Sequence, residues 1–220
     1  VLPKSIMWRL MKPYINNPGM RFINTSKYYS QFRPGAEKPY AQSHAAFHFL
    51  LDYVPNWKES YRPWGLIQYQ TFVPKERAAD VFTEQIQLCH RWGIVPYLIV
   101  TKKHVPDDYL FTHAVDGYSM ALDFPVTRRN RARLWELCHE MDEMVIAAGG
   151  RFYLAKDLTM RPDTLERYLP EGNLDKFREL REACDPEGLL CTNLYRRIFG
   201  YEGNTGAAAG AKRTSQKAAK

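Results

Sequence analysis

The 220-residue sequence lacks the short signatures that would reveal its chemistry at once. It has no GxSxG, no glycine-rich phosphate loop and no GxGxxG, so neither a serine-hydrolase elbow nor a dinucleotide-binding fingerprint is supported. No run approaches the ~18 apolar residues of a membrane-spanning helix. Lys4, Arg9 and Lys12 interrupt any apolar core that a signal peptide would need. Beginning at Val1 rather than Met, the chain reads as a fragment of something longer. There is no CxxC pair either. Cys89, Cys138, Cys184 and Cys191 are best accounted for as buried free thiols in a reducing, cytoplasmic compartment.

Acidic residues are absent from position 203 onward, where Lys212, Arg213, Lys217 and Lys220 stand. Residues 1–202 therefore carry 27 basic against 24 acidic groups, and much of the net charge of +7 belongs to the tail. A body so nearly balanced does not predict a nucleic-acid partner. Residues 201–220 are rich in Gly, Ala and Lys and predict a disordered basic tail, suited at most to weak contact with an anionic or membrane surface.

Aromatic residues, by contrast, are plentiful: 14 Tyr, 11 Phe and 5 Trp exceed what a core needs, and such excess often lines a ligand cavity or an interface. Along the chain, residues 3–15 predict a short amphipathic helix disturbed by Pro13, and 16–19 (NNPG) a turn. Residues 20–43 read as irregular, and 45–51 as a strand. Strands are predicted over 64–73 (WGLIQYQTFV), 94–102 (IVPYLIVTK) and 118–124 (YSMALDF). Long helices are predicted over 75–92, with Gly93 as its stop, and over 131–148, ending in Gly149 and Gly150. The stretch GGRFYLAKD (149–157) has the composition of a further short strand that delivers Lys156 and Asp157 at its exit. Short helices follow at 163–169, 174–184 and 192–199, with a turn at DPEG (185–188). This order predicts an α+β fold: a mostly antiparallel sheet with two long helices on one face, followed by a short helical C-terminal segment. A domain boundary is expected near 150–157.

Several polar residues interrupt the apolar strands. Gln68 and Gln70 lie two apart and so share a face, as do Ser119, Ala121 and Asp123; Lys102 lies on the same side as Leu98 and Val100. The long helices cover only one face of the sheet. A second face lined by Gln, Lys and Tyr reads either as a solvated surface or as the wall of a polar-substrate cavity. Lys156 reads likewise as a loop lysine or as a fixed cation at a strand end. His44 and His48 have the i, i+4 spacing of a helical metal pair, but they fall on the strand expected at 45–51 and have no evident third ligand, so no metal site is predicted.

Six pieces in register carry a resemblance: FHFLLDYVPNW (47–57), WGLIQYQTFVP (64–74), PYLIVTK (96–102), YSMALDFP (118–125), GGRFYLAKD (149–157) and CDPEGLLCTNLYRRI (184–198). Over residues 45–200, and more weakly before, the chain resembles the C-terminal half of FAD-dependent oxidoreductases of the vanillyl-alcohol oxidase superfamily, within it the decaprenylphosphoryl-ribose oxidase group. The resemblance implies that residues 1–150 form a substrate-binding cap domain, and that 151–200 complete an FAD-binding domain lying mostly upstream. That upstream half of the same protein is then the implied partner, FAD the cofactor, and a sugar-like or lipid-linked alcohol the substrate. Gln68, Gln70, Lys102, Ser119 and Ala121 would line the substrate; Lys156 and Tyr153 would meet the flavin. A lysine cation there would stabilise negative charge on the ring. The chain has Ala121 where that group has a cysteine and His48 where it has a tyrosine, which puts the same substrate in doubt and makes His48 a candidate acid or base. A sterol-reductase-like flavoprotein of the same superfamily and a non-enzymatic α+β binding module with a basic tail are the alternatives.

Overall fold

The computed structural model describes residues 3–199, apart from 34, 37, 40 and 49–54. Its centre is a four-stranded sheet made of β1 (Leu66–Pro74), β2 (Leu98–His104), β3 (Gly117–Pro125) and β4 (Arg151–Phe152), in the order β2-β3-β1-β4 with every neighbouring pair antiparallel. Helix α4 (Lys75–Trp92) links β1 to β2, and α5 (Arg131–Ala147) links β3 to β4. Each helix therefore crosses over an intervening strand, which is the split β-α-β, ferredoxin-like arrangement. The fold is α+β.

Both long helices lie on one face of this sheet because their buried residues recur at helical spacing. In α4 these include Ala78, Val81, Phe82, Leu88 and Cys89; in α5, Leu134, Leu137, Cys138, Met141 and Val145. Alternation in the strands sends Ile67, Tyr69, Val73, Met120, Leu122 and Phe124 to meet them. The close of α5 fixes where β4 begins. Gly149, at φ 68, donates its N–H to the Ile146 carbonyl and Gly150 donates to that of Val145, so the last carbonyls are satisfied in a left-handed stop. A Cβ on Gly150 would come within 2.6 Å of the Phe72 carbonyl oxygen, so only glycine lets β4 dock here on β1.

The C-terminal segment is helical, with α6 (Pro162–Tyr168), α7 (Asn173–Cys184) and α8 (Asn193–Phe199). Met160, Leu165, Leu169 and Ile198 join the same hydrophobic core as the sheet and its helices.

The N-terminal region departs from expectation. The helix expected over 3–15 is α1 (Met7–Met11) flanked by 3-10 turns, the second of which holds Pro13. Residues expected to be irregular include α2 (Asn17–Ser30). The NNPG turn is the start of this helix: the Asn16 side chain accepts from the Gly19 N–H, and Pro18 sits in the first turn where its missing N–H does no harm. The strand expected over 45–51 is also corrected, because His44–His48 form a short helix, α3; residues 49–51 lie outside the described part. The strand expected within 149–157 pairs only at Arg151 and Phe152 before the chain turns. Finally, all four cysteines are free, but only Cys89 and Cys138 are buried, while Cys184 is exposed on the last turn of α7. The tail beyond 199 lies outside the described residues, and among those described no helix is long and apolar enough to cross a membrane.

Candidate functional site

The face of the sheet turned away from the long helices is polar, and pairing register decides which residues meet there. Gln68 stands opposite Asp123, Gln70 opposite Ala121 and Phe72 opposite Ser119; across β3, Lys102 stands opposite Ser119. The middle of this face is closed to water, since Gln70, Ala121, Ser119 and Asp123 are all buried, while Lys102 on β2 is exposed. Buried polar groups must find partners, and here they find one another.

Lys156 reaches this face through backbone turns. The Tyr153 N–H donates to the Gln70 carbonyl, extending the pairing by one bond, and the Lys156 N–H then donates back to the Tyr153 carbonyl at 3.0 Å. The side chain folds over β1, and its Nζ donates to Gln70 Oε1 at 2.9 Å. An ammonium can only donate, so the Gln70 amide is oriented: its oxygen faces Lys156, and its Nε2 donates to Ser119 Oγ at 3.2 Å. Ser119 Oγ also lies 2.8 Å from His104 Nε2. A continuous chain thus runs Lys156–Gln70–Ser119–His104 across three strands and the turn after β4.

Beside it, Gln68 Nε2 donates to Asp123 Oδ1, while Asp123 Oδ2 is buried without a partner among the described residues. Tyr153 and His113 pack edge-on at 4.8 Å between ring centres, and His104 and His113 both rest on Phe72, at 4.7 and 4.6 Å. A narrow crevice lined by Gln68, Gln70, Tyr153 and Leu158 opens alongside, with free space of about 10 Å³, room for roughly one water molecule.

Burial, the nearby Lys102 ammonium second, lowers the pKa of Lys156, and Asp123 partly opposes this. Burial likewise lowers that of His104, with His113 and Lys102 adding to it, which favours the neutral ring. Burial raises Asp123, against the Gln68 hydrogen bond and the Lys156 and Lys58 charges. Tyr61 is pushed up to about 12 by burial, then by Asp123 and Tyr97, so it stands as a neutral phenol near the Asp123 carboxyl.

Of the residues singled out in the sequence, Gln68, Gln70, Lys102, Ser119, Ala121, Tyr153 and Lys156 are brought to one region. Ala121 offers no polar group and leaves a gap in the polar surface between Gln70 and Val100. His48 is not brought there: it is exposed on α3, and its ring contacts are with His44 and Phe47 of its own helix. Among the described residues no cluster of three or more His, Cys, Asp or Glu could hold a metal ion. Sequence reasoning missed His104, His113 and Tyr61, and left Asp123 out of the site although its face was known. For His104 a signal existed, since it follows Lys102 by two positions on the same strand face.

No protein-family model matches the chain. Over 82 residues, 37% of its length, the chain is 42% identical to a Streptomyces coelicolor protein described as "Uncharacterized protein in mprA 5'region", covering 21% of that protein. Over 167 residues, 76% of its length, it is 29% identical to decaprenylphosphoryl-beta-D-ribose oxidase of Mycolicibacterium smegmatis, covering 35% of that enzyme. The chain is thus related to an oxidase, of whose length it spans about a third.

Proposed function

We propose that this chain is part of a flavin-dependent oxidoreductase that oxidises a hydroxyl-bearing, sugar-like or lipid-linked substrate, and that the polar sheet face borders cofactor and substrate. The observation that carries this reading is the convergence of Lys156, Gln70, Ser119 and His104 in one hydrogen-bonded chain beside Gln68 and Asp123. The kinship with an oxidase supports it. In this reading residues 1–150 form the substrate side, and 151–200 complete a flavin-binding unit whose remainder lies outside the chain.

The donor set fits a flavin. Lys156 is a half-buried cation, and the amides of Gln68 and Gln70 are the kind of groups that hold ring carbonyls and nitrogens. Room for the ring has to come from the covering side chains, since the crevice itself holds about one water. A bound flavin would supply the hydride acceptor for the carbinol carbon. Lys156 would place a positive charge at the electron-rich edge of the ring, strengthened by its partial desolvation. Gln70 would hold that lysine in place. His104, whose neutral ring burial favours, or the Asp123 carboxylate, made more basic by burial, would receive the substrate hydroxyl proton.

Expressed with any coding sequence that precedes it, the protein is expected to purify yellow, with the visible absorption bands of an oxidised flavin. A longer form that stays colourless after attempted FAD reconstitution would sink the proposal.

A further inference from the structure

The strap that joins β2 to β3, residues 105–116, lies over the end of the polar face where Phe72 stands opposite Ser119. Most of its attachments do not titrate near neutral pH. Asn173 Nδ2, at the start of α7, donates to the Leu110 carbonyl at 2.7 Å, and Phe111 packs edge-on against Phe177 at 4.6 Å. Arg151 Nη1 donates to the Ala114 carbonyl at 3.0 Å. Thr112 closes the turn between these anchors, donating its N–H to the Tyr109 carbonyl and accepting at Oγ1 from the Ala114 N–H.

The remaining attachment is His113, and it is of another kind. Its ring rests on Phe72 and packs edge-on against Tyr153. His104, on β2, rests on the same Phe72 ring. Two imidazoles therefore share one aromatic support, and the charges around them are mostly positive. Lys102 stands two residues before His104 on the same face of β2, Arg151 on β4, and Lys156 on the turn behind it. Asp107 of the strap itself and Asp123 farther along the face are the acids that oppose them. Asp116, at the end of the strap, is engaged by Lys75. Neither imidazole has an ion pair among the described residues.

Neutral imidazoles on a phenyl ring make an ordinary aromatic contact. Two imidazoliums there repel each other and the lysines beside them. Burial, then His113 and Lys102, already lowers the pKa of His104 while the strap is shut. A histidine that is harder to protonate in the shut form takes up protons more readily in the open one. Acid therefore shifts the balance toward opening.

We infer that the 105–116 strap is a pH-dependent lid on the polar face, shut while His104 and His113 are neutral and released from Phe72 when both are protonated. Leu110 and Phe111, held by α7, are where it stays attached. The lid supplies the covering side chains whose movement makes room beside Tyr153 and Gln70. That its lifting admits cofactor or substrate rests on the flavoenzyme reading; the movement itself does not.

The test follows amide hydrogen exchange of the full chain between about pH 7.5 and about pH 5, read by mass spectrometry and corrected for the intrinsic effect of pH. Peptides from 112–116 are expected to lose protection about tenfold toward acid, the amount that a closed-state histidine pKa about one unit below the open-state value requires. Peptides from β3 and α5 are expected to keep theirs, which separates lid opening from acid unfolding. His113→Phe keeps a ring against Phe72 and Tyr153 but takes no proton. In that variant 112–116 is expected to stay protected in acid. An NMR titration is expected to show the His104 pKa raised, because one repelling charge has gone. His90→Gln, an exposed change on α4, is expected to behave as wild type. Protection of 112–116 that ignores pH, a loss no larger than that of β3 and α5, an equal loss in His113→Phe, or an unmoved His104 titration there would overturn the inference. No flavin is used, so failure here is distinct from failure of the flavoenzyme reading.

Discussion

The two faces of the sheet are built from alternate residues of the same strands, yet they obey different rules. Toward the long helices, Ile67, Val73, Met120, Leu122 and Phe124 pack as an ordinary apolar core, where burial itself is the stabilising term. On the other side Gln68, Gln70, Ser119 and Asp123 are buried or half-buried, and there burial opposes stability unless each group is hydrogen-bonded. That face is maintained against this tendency by the hydrogen bonds among its own side chains, with Asp123 Oδ2 left buried without a partner among the described residues. The apolar face has buried polar members of its own in Thr71, Gln85 and Asp142, the last of which accepts a hydrogen bond from Tyr69 at 2.8 Å beneath the sheet.

The strongest way to break the comparison is on the core side. Leu122→Ala is expected to lose about 2–5 kcal/mol, because Leu122 is fully enclosed and its cavity cannot collapse. Urea unfolding reads this directly, and a loss as small as that of a surface change would mean the helix face is not the core. Lys156→Met should show the reverse pattern. Its unfolding midpoint is expected to move little, while substrate-driven flavin reduction in a flavin-loaded longer form falls on the order of a hundredfold. Retention of full activity would remove Lys156 from the chemistry.

Asp142 sharpens the contrast through pH. Burial pushes its carboxyl up to about 7, so the folded state holds a proton that the unfolded chain releases near its ordinary value of 3.8. Between those values folding binds protons, and stability must fall as pH rises toward 7. Asp142→Asn keeps an acceptor for Tyr69 and removes this dependence. The variant is expected to gain on the order of 1–3 kcal/mol over wild type at pH 8 and far less at pH 4. Equal gains at both pH values would show that the carboxyl does not titrate as argued.

The smallest effect is expected at the exposed Lys75–Asp116 pair, where Lys75→Ala should leave the unfolding midpoint within measurement error because solvent screens both charges. A clear loss would show that the start of α4 depends on this ion pair.

Much of this was legible without coordinates, for reasons that differ by element. The long helices and the three main strands announce themselves through periodicity and through stops such as Pro74, Gly93 and Pro125, which act over a few residues. Helix α2 was obscured because Pro18 and Gly19 read as breakers, although Pro belongs in a first turn. Residues 44–48 were mistaken for strand because a short apolar run has too few residues to show its period. At the candidate site, parity alone put Gln68 with Gln70 and Ser119 with Asp123. Parity could not say that Gln70 lies beside Ser119, nor that Lys156 turns back to reach it.

Local chemistry in the sequence thus determined the element types, the α+β class and the pairs of polar residues that share a side. Only the tertiary structure decided which strands are neighbours, that the middle of the polar side is covered rather than wet, and that His104 rather than His48 joins the chain ending at Lys156. Side-chain alternation is a property of one strand and is written in its residues. Register, cover and convergence arise between strands far apart in sequence, where no local pattern records them.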